Sequence, residues 1–409
     1  MRRFVLHAVA LFVGFGLVCS FADVTTAQQK PKVLKIGTTL PLIVSIGMEA
    51  KKCYELLVAD LNAAGGITVG GDTYQIEMII YDDGYKADKG RAAVERLVTG
   101  DKVKFLVGPM ASAPTLAGLV VTEPAKVIVF TGAATNKTLE PRFKYTVRTS
   151  TLTTGIPGQR MFILQRHPNI KTLVFVGPDD ETGRDTGLVD DKIVSNFGIK
   201  KLDSIFFPRD TKEFLSIALK IKNLNPDMVY ASALNQGNET GSLLKALHQA
   251  GYKGVKLGVT PDMDVIQKIA SNEATEGYYG ALRDSAATPR PNAQALRLKE
   301  LYSAKYGHWN DTAVMWVGGW FGFLASVKKA NSLDPDKIMA ATANLEFDAP
   351  QGHFMLVKRP DLGTSRYCDS TADVNIGQIH NGKFEYVGTF PAQDGIAACE
   401  KVFGGGKWR

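Results

Sequence analysis

Short apolar runs alternate with stretches of helical periodicity from residue 33 onward. Residues 33–39, 74–81, 105–107 and 127–130 read as buried strands, each dominated by apolar side chains and each stopping at Pro, Asp, Gly or a hydroxyl-bearing residue. Residues 47–62 and 88–99 read as helices, with Tyr54, Leu57, Val58 and Leu61 on one face of the first. Gly65-Gly66 stops that helix, and Gly70-Gly71-Asp72 turns the chain back into the next strand. After residues 145–149 the pattern begins again: helices over 154–166, 187–197, 214–223 and 241–250, strands over 172–176, 201–207, 228–231, 256–259 and 276–281. Such alternation predicts an α/β protein built on parallel sheets with helices on both faces, the same architecture used twice. Pro289 and Pro291 mark residues 285–292 as a linker. Helices over 292–306, 313–330 and 335–343 follow it, and the aromatic stripe of Trp316, Trp320, Phe321 and Phe323 reads as core. Strands over 353–357, 375–380 and 384–386 come last, the final pair joined by an Asn381-Gly382 hairpin turn.

The strands over 105–107 and 127–130 each release a loop of small residues, Gly108 to Ser112 and Thr131 to Asn136. In an open parallel sheet, ligands bind outside the carboxyl ends of the strands. Small side chains leave room there, and the start of a helix, with Ser112 at the N-cap, exposes N–H groups to an anion. The two loops are expected to form half of a small-molecule pocket. The plainer reading makes them ordinary strand-to-helix connections, where Gly, Ser and Thr are common.

Composition adds an address and removes some function classes. Arg2 and Arg3 precede an apolar stretch over residues 5–18, too short to cross a membrane, and small residues allow cleavage after Ala22 or, preferably, Ala27. An exported chain with a signal peptide over 1–27 is expected. Cys19 would invite lipidation, but Val18 stands where a small residue is wanted. The remaining 382 residues suffice for two domains. A formal charge of +7 comes without any Lys/Arg run interleaved with aromatics, so no nucleic-acid partner is expected. Cys53 lies on an apolar helix face and reads as a buried thiol. Cys368 and Cys399 share the C-terminal segment of an exported chain and form the natural disulfide pair, although three cysteines allow three pairings.

Reaction chemistry is hard to find. No phosphate-binding G-x-x-x-x-G-K-[ST], zinc-binding H-E-x-x-H or nucleophile-bearing G-x-S-x-G occurs, and the first strand ends Ile36-Gly37-Thr38-Thr39-Leu40-Pro41 rather than in a dinucleotide fingerprint. The six histidines are scattered; the acidic loop ends Asp82-Asp83 and Asp179-Asp180-Glu181 could hold a cation or form an acid–base pair, although acidic loops after strands are common. No cofactor, no metal and no catalytic residue is expected.

Several short pieces, in order, carry a family likeness: Ile36-Gly37 through Leu42, Asn62-Ala63-Ala64-Gly65-Gly66-Ile67, Tyr81-Asp82-Asp83, Val107-Gly108-Pro109 and Gly132-Ala133-Ala134-Thr135-Asn136. With the signal peptide before them, the chain resembles the periplasmic solute-binding proteins of the branched-chain amino acid (Leu/Ile/Val) ABC transporter family, of the type I periplasmic binding fold. The resemblance implies two doubly wound parallel-sheet lobes joined by a three-crossover hinge. An N-terminal lobe would take residues 28–150 and 283–350, a C-terminal lobe residues 151–282 and 351–409. It implies capture of a small amino acid, amide or organic carboxylate in the cleft and delivery to a membrane permease. A ligand-sensing receptor of the same fold is the alternative, and an exported enzyme ranks behind it. Ser112, Ala133, Ala134 and Thr135 match the positions that grip a ligand carboxylate, and Ile46 falls at the ligand wall. Across the cleft Thr182 stands where the family carries an aromatic residue, Asn235 falls near a further contact, and Asp262 near the acidic residue that meets an ammonium group. Pro114 inside the serine loop and Thr182 depart from the family pattern, so the class of ligand stays open.

Overall fold

The computed structural model describes residues 31–409; the expected signal peptide and Cys19 lie outside them. The first stretch runs β1 (Lys32–Leu40), α1 (Ser45–Ala63), β2 (Ile67–Val69), β3 (Asp72–Asp82), α2 (Ala87–Glu95), β4 (Phe105–Val107), α3 (Ser112–Thr122), β5 (Ile128–Thr131) and β6 (Thr146–Arg148). These strands make one sheet in the order β2-β3-β1-β4-β5-β6, parallel except for the β2–β3 hairpin that the paired glycines turn. The second stretch runs α4 (Gly155–Arg166), β7 (Thr172–Pro178), α5 (Glu181–Asn196), β8 (Lys200–Phe207), α6 (Leu215–Leu224), β9 (Met228–Ala231), α7 (Asn238–Gln249), β10 (Val255–Gly258), two single-turn helices α8 (Met263–Ile266) and α9 (Asn272–Thr275), and β11 (Tyr279–Ala281). Then come α10 (Ala293–Tyr306), α11 (Gly318–Ala330) and α12 (Pro335–Ala341), and last β12 (Glu346–Ala349), β13 (Gly352–Arg359), β14 (Thr364–Ala372), β15 (Val374–His380), β16 (Lys383–Phe390) and α13 (Ala392–Phe403). The second sheet has the order β16-β15-β11-β10-β9-β7-β8, and β12-β13-β14 form a separate antiparallel sheet.

Each large sheet buries apolar side chains on its own helices. Ile36, Phe105, Ile128 and Phe130 share a core with Tyr54 of α1, Leu298 of α10 and Phe323 of α11. Leu173, Phe175, Tyr230 and Leu257 share another with Ile163 of α4 and Ile193 of α5. The chain changes core three times. The first change follows β6 and the second follows β11. The third is spread over β13 to β15: Phe354, Leu356 and Ala372 join the first core, Val357 packs with Ile396 and Cys399 of α13, and Val374 of β15 joins the second.

Other departures have local causes. The helix expected over 313–330 begins only at Gly318, after a 3₁₀ turn over Asp311–Trp316. Gly319 then sits directly on β5, where a Cβ would come within 3.0 Å of the Phe130 carbonyl oxygen. Helix α5 starts at Glu181, six residues earlier than its apolar period suggests, because the Asp180 carboxylate accepts from the Gly183 N–H at 2.9 Å and caps it. The expected Cys368–Cys399 disulfide is absent. All three described cysteines are free and buried, and Cys399 on α13 directs its thiol at the Thr154 carbonyl oxygen, 3.2 Å away. Burial pushes both thiols well above the usual range, which leaves them as inert apolar groups.

Candidate functional site

Strand ends from both sheets converge on one cavity of about 830 Å³ of empty space. From the first sheet come Tyr85 after β3, Met110 and Ala111 after β4 and Ala134 after β5. The second contributes Thr182 after β7, Arg209 after β8, Ser232 to Leu234 after β9 and Thr260 after β10. Segments at the changes of core complete it: Leu152 and Ile156 at the first, Arg283 at the second, Val374 at the third. Met315 and Trp316 close it from the turn before α11.

The wall on the first side is set by buried hydrogen bonds. Tyr54 of α1 donates to the Trp316 carbonyl at 2.7 Å and fixes that turn. Its ring lies against Gly108, whose φ of 96° and lack of Cβ let the chain pass. The Trp316 indole lies on Gly132, where a Cβ would meet Cε3 at 2.7 Å. The two small loops are tied to each other: Thr131 Oγ1 donates to the Pro109 carbonyl at 2.7 Å, the Gly132 N–H donates to the same carbonyl at 2.8 Å, and the Thr135 N–H donates to Ser112 Oγ at 3.2 Å.

Those ties decide which of the expected ligand residues reach the cavity. Ile46, Ala134 and Thr182 line it. Ser112, Ala133, Thr135, Asn235 and Asp262 are buried beside it and are not part of its wall. Ser112 is the first residue of α3 rather than its N-cap, which is Ala111, and its hydroxyl serves the neighbouring loop. Thr135 donates across the gap to Asp185 and, at 3.4 Å, to Glu181, both on α5. Asn235 accepts from the N–H groups of Gly237 and Asn238 at 3.0 and 3.2 Å and so shapes the start of α7. Asp262 accepts from Ser45 Oγ at 3.3 Å, and burial raises its carboxyl above the ordinary range.

Thr135–Asp185 and Ser45–Asp262 belong to a ring of contacts that joins the two sheets' loops around the cavity. Lys137 pairs with Glu181 at 2.8 Å, and the Arg209 guanidinium sits 4.9 Å from the centre of the Tyr85 ring. Arg209 is itself held by Asp180 at 2.5 Å and Glu239 at 3.3 Å. The cavity is therefore enclosed by polar clasps made from both halves, while its inner wall is largely apolar.

The polar atoms left over point to what the cavity holds. Arg283 lines it, donates only to the Thr151 hydroxyl, and has a buried Nε without a partner. Trp316 Nε1 and Gln236 Oε1, also on the wall, are buried without partners. Buried polar groups are ordinarily satisfied, so unsatisfied ones gathered at a cavity mark ligand positions. None of these three residues was anticipated as a ligand contact. Arg283 had a signal: an arginine that directly follows the apolar strand end Tyr279-Gly280-Ala281-Leu282. Among the described residues no group of three or more His, Cys, Asp or Glu is placed to hold a metal ion.

The family profile described as periplasmic binding protein matches residues 42–364. Curated relatives include the leucine-, isoleucine-, valine-, threonine-, and alanine-binding protein of Pseudomonas aeruginosa, 25% identical over 351 residues, covering 84% of this chain and 90% of that one. The Leu/Ile/Val-binding protein of Escherichia coli K12 is 27% identical over 294 residues, covering 69% and 76%. Similar solved structures include a leucine-binding protein from Thermotoga maritima, with a TM-score of 0.74 at 19% identity over 88% of this chain and 99% of that one. An ABC transporter solute-binding protein from R. palustris in complex with benzoate has a TM-score of 0.70 at 19% identity, over 88% and 97%.

Proposed function

The chain belongs to the periplasmic binding protein family, and from that membership we propose that it is the solute-binding component of an ABC importer. It captures a small amino acid, amide or organic carboxylate between two lobes and presents the closed, loaded form to a membrane permease. The observation that carries this reading is an apolar cavity into which the strand ends of both sheets run, ringed by hydrogen bonds and ion pairs that only a closed pair of lobes can make. The three changes of core are the hinge, since they are the places where the chain passes between the two cores. The mature chain begins after Ala27 and works in the periplasm.

Ligand binding that requires closure should stabilise the fold: a ligand at one hundred times its Kd adds about 2.7 kcal/mol. A thermal-shift panel of amino acids, amides and carboxylates should therefore give at least one clear rise in Tm. Small-angle scattering with that ligand should show a more compact particle. Turnover of the bound compound, or a particle whose dimensions do not change on binding, would sink the reading. Mass measurement of the exported protein, expected to start at Gln28, checks the cleavage site.

A further inference from the structure

The cavity holds a cation without an anion. Arg283 has the Thr151 hydroxyl as its only hydrogen-bond partner among the described residues. Burial draws the Arg283 pKa down to about 10, and among the described residues no carboxylate opposes that shift. Even its sequence neighbour turns away: the Asp284 carboxylate accepts from Trp309 Nε1 at 2.9 Å and from the Ala286 N–H at 2.8 Å. Four other arginines that are buried or nearly so all have carboxylate partners, Arg148 and Arg359 on Asp369, Arg160 on Asp190 and Arg209 on Asp180. Leaving a guanidinium enclosed without an anion is costly, and a planar fork of donors is the natural receptor for a carboxylate.

Among the described residues, no Asp or Glu forms part of the cavity wall to meet an ammonium group. The carboxylates nearest it lie off its wall: Glu239 and Glu181 pair with Arg209 and Lys137, and Asp262 accepts from Ser45. An ammonium group brought into the cavity would meet the Arg283 guanidinium there and no carboxylate on the wall. Met110, Leu152, Ile156, Met315 and Trp316 supply apolar surface for the body of the ligand.

We propose that this cavity selects a small organic monocarboxylate with an apolar body and no ammonium group, and that Arg283 receives the carboxylate. The inference rests on the solute-binding reading and narrows it.

Calorimetry on the mature protein with matched sets tests it. One set is 4-methylpentanoate, its amide and leucine; the other is phenylacetate, phenylacetamide and phenylglycine. In at least one set the carboxylate is expected to bind a hundredfold or more tighter than both companions. Arg283→Gln should lower carboxylate affinity at least a hundredfold and leave amide affinity within about threefold; Arg283→Lys should fall between. A wild-type preference for either amino acid overturns the inference while leaving solute capture intact, and this comparison needs no variant. Carboxylate affinity unchanged within about threefold in a folded Arg283→Gln protein overturns the assignment of that residue. If no compound of either set binds, this inference falls; if the wider thermal-shift panel is silent too, the solute-binding reading falls with it.

Discussion

Two buried clusters of charge lie close to the changes of core, and they are built oppositely. In the first, Arg148 of β6 donates through Nε to Asp369 Oδ1 at 2.8 Å, and Arg359 of β13 donates to Asp369 Oδ2 at 2.7 Å. Arg359 also pairs with Asp361 at 2.8 Å, and its guanidinium lies 4.7 Å from the Trp408 ring. Every charge there has its opposite inside the protein, and the result binds β6, β13, β14 and the C-terminal tail together. At the second change of core, Arg283 is half-buried with its Nε fully enclosed, and among the described residues no carboxylate pairs with it. A buried cation whose partner is supplied by the chain acts as a joint; one whose partner is absent acts as a receptor. On the proposal above, the unpaired Arg283 is what would give the cavity a preference among solutes.

The sharpest way to break the comparison is to remove the anion from the joint. Asp369→Asn should leave Arg148 and Arg359 facing each other in a site where both are fully buried. Breaking a buried pair in this way costs about 3–5 kcal/mol. Equilibrium denaturation should show a loss of that size for the free protein. A loss below about 1 kcal/mol would mean that the joint is not one.

Asp311 offers the mirror case, a carboxyl among carboxyls. Burial, with Asp284, Asp262 and Asp264 nearby, pushes its pKa up to about 7. The folded state then holds the proton more tightly than the unfolded state, whose carboxyl titrates near 4. Between roughly pH 4 and pH 7 the folded form binds more protons, so this group's contribution makes stability fall as pH rises through that window and level off above it. Asp83, raised by burial to about 6, acts in the same direction. Asp311→Asn should flatten the fall, gaining more in Tm at pH 7.5 than at pH 4.5. An equal gain at both pH values would show that Asp311 is ionised throughout.

The clasps around the cavity should respond differently from Arg283. Thr135→Val removes the hydroxyl that reaches Asp185 from across the gap and leaves the Asp185 carboxyl, already raised by burial, without that donor. The loss should be about 1 kcal/mol of closure, or some fivefold in affinity. It should apply equally to every ligand, because the contact favours the closed form and touches no ligand. Calorimetry that finds the loss confined to carboxylates would place Thr135 in the ligand shell after all.

Helices with a long apolar period were readable from the chain: α1, α10 and the strands β1, β4 and β9 lie within a few residues of where the pattern puts them. Helix α13 was missed although Ala392, Ile396, Cys399 and Val402 recur at helical spacing; Ile396 and Cys399 pack with Val357 and Trp408. β14 was missed because its inward side chains are polar; Asp369 is buried there only because two arginines from other strands meet it. The same limit applies to the site. Small residues after β4 and β5 locate the cavity correctly, but which hydroxyl faces a ligand and which faces the next loop depends on tertiary hydrogen bonds such as Thr135–Ser112. Arg283 was visible as a charge after an apolar strand, while the absence of a partner for it is a property of three-dimensional neighbours.

The smallest expected effect is also the most telling. Arg283→Gln, measured without ligand, removes a charge that nothing in the described chain balances. What is lost is one hydrogen bond to Thr151, worth about 1 kcal/mol; what is gained is relief of an uncompensated enclosed charge of at least similar size. The free variant should therefore denature within about 1 kcal/mol of the wild type, or be slightly more stable, in contrast to the loss expected for Asp369→Asn. A drop of 3 kcal/mol or more on Arg283→Gln would erase the difference between the two clusters, because it would make Arg283 a joint whose stabilising contacts lie within the protein itself.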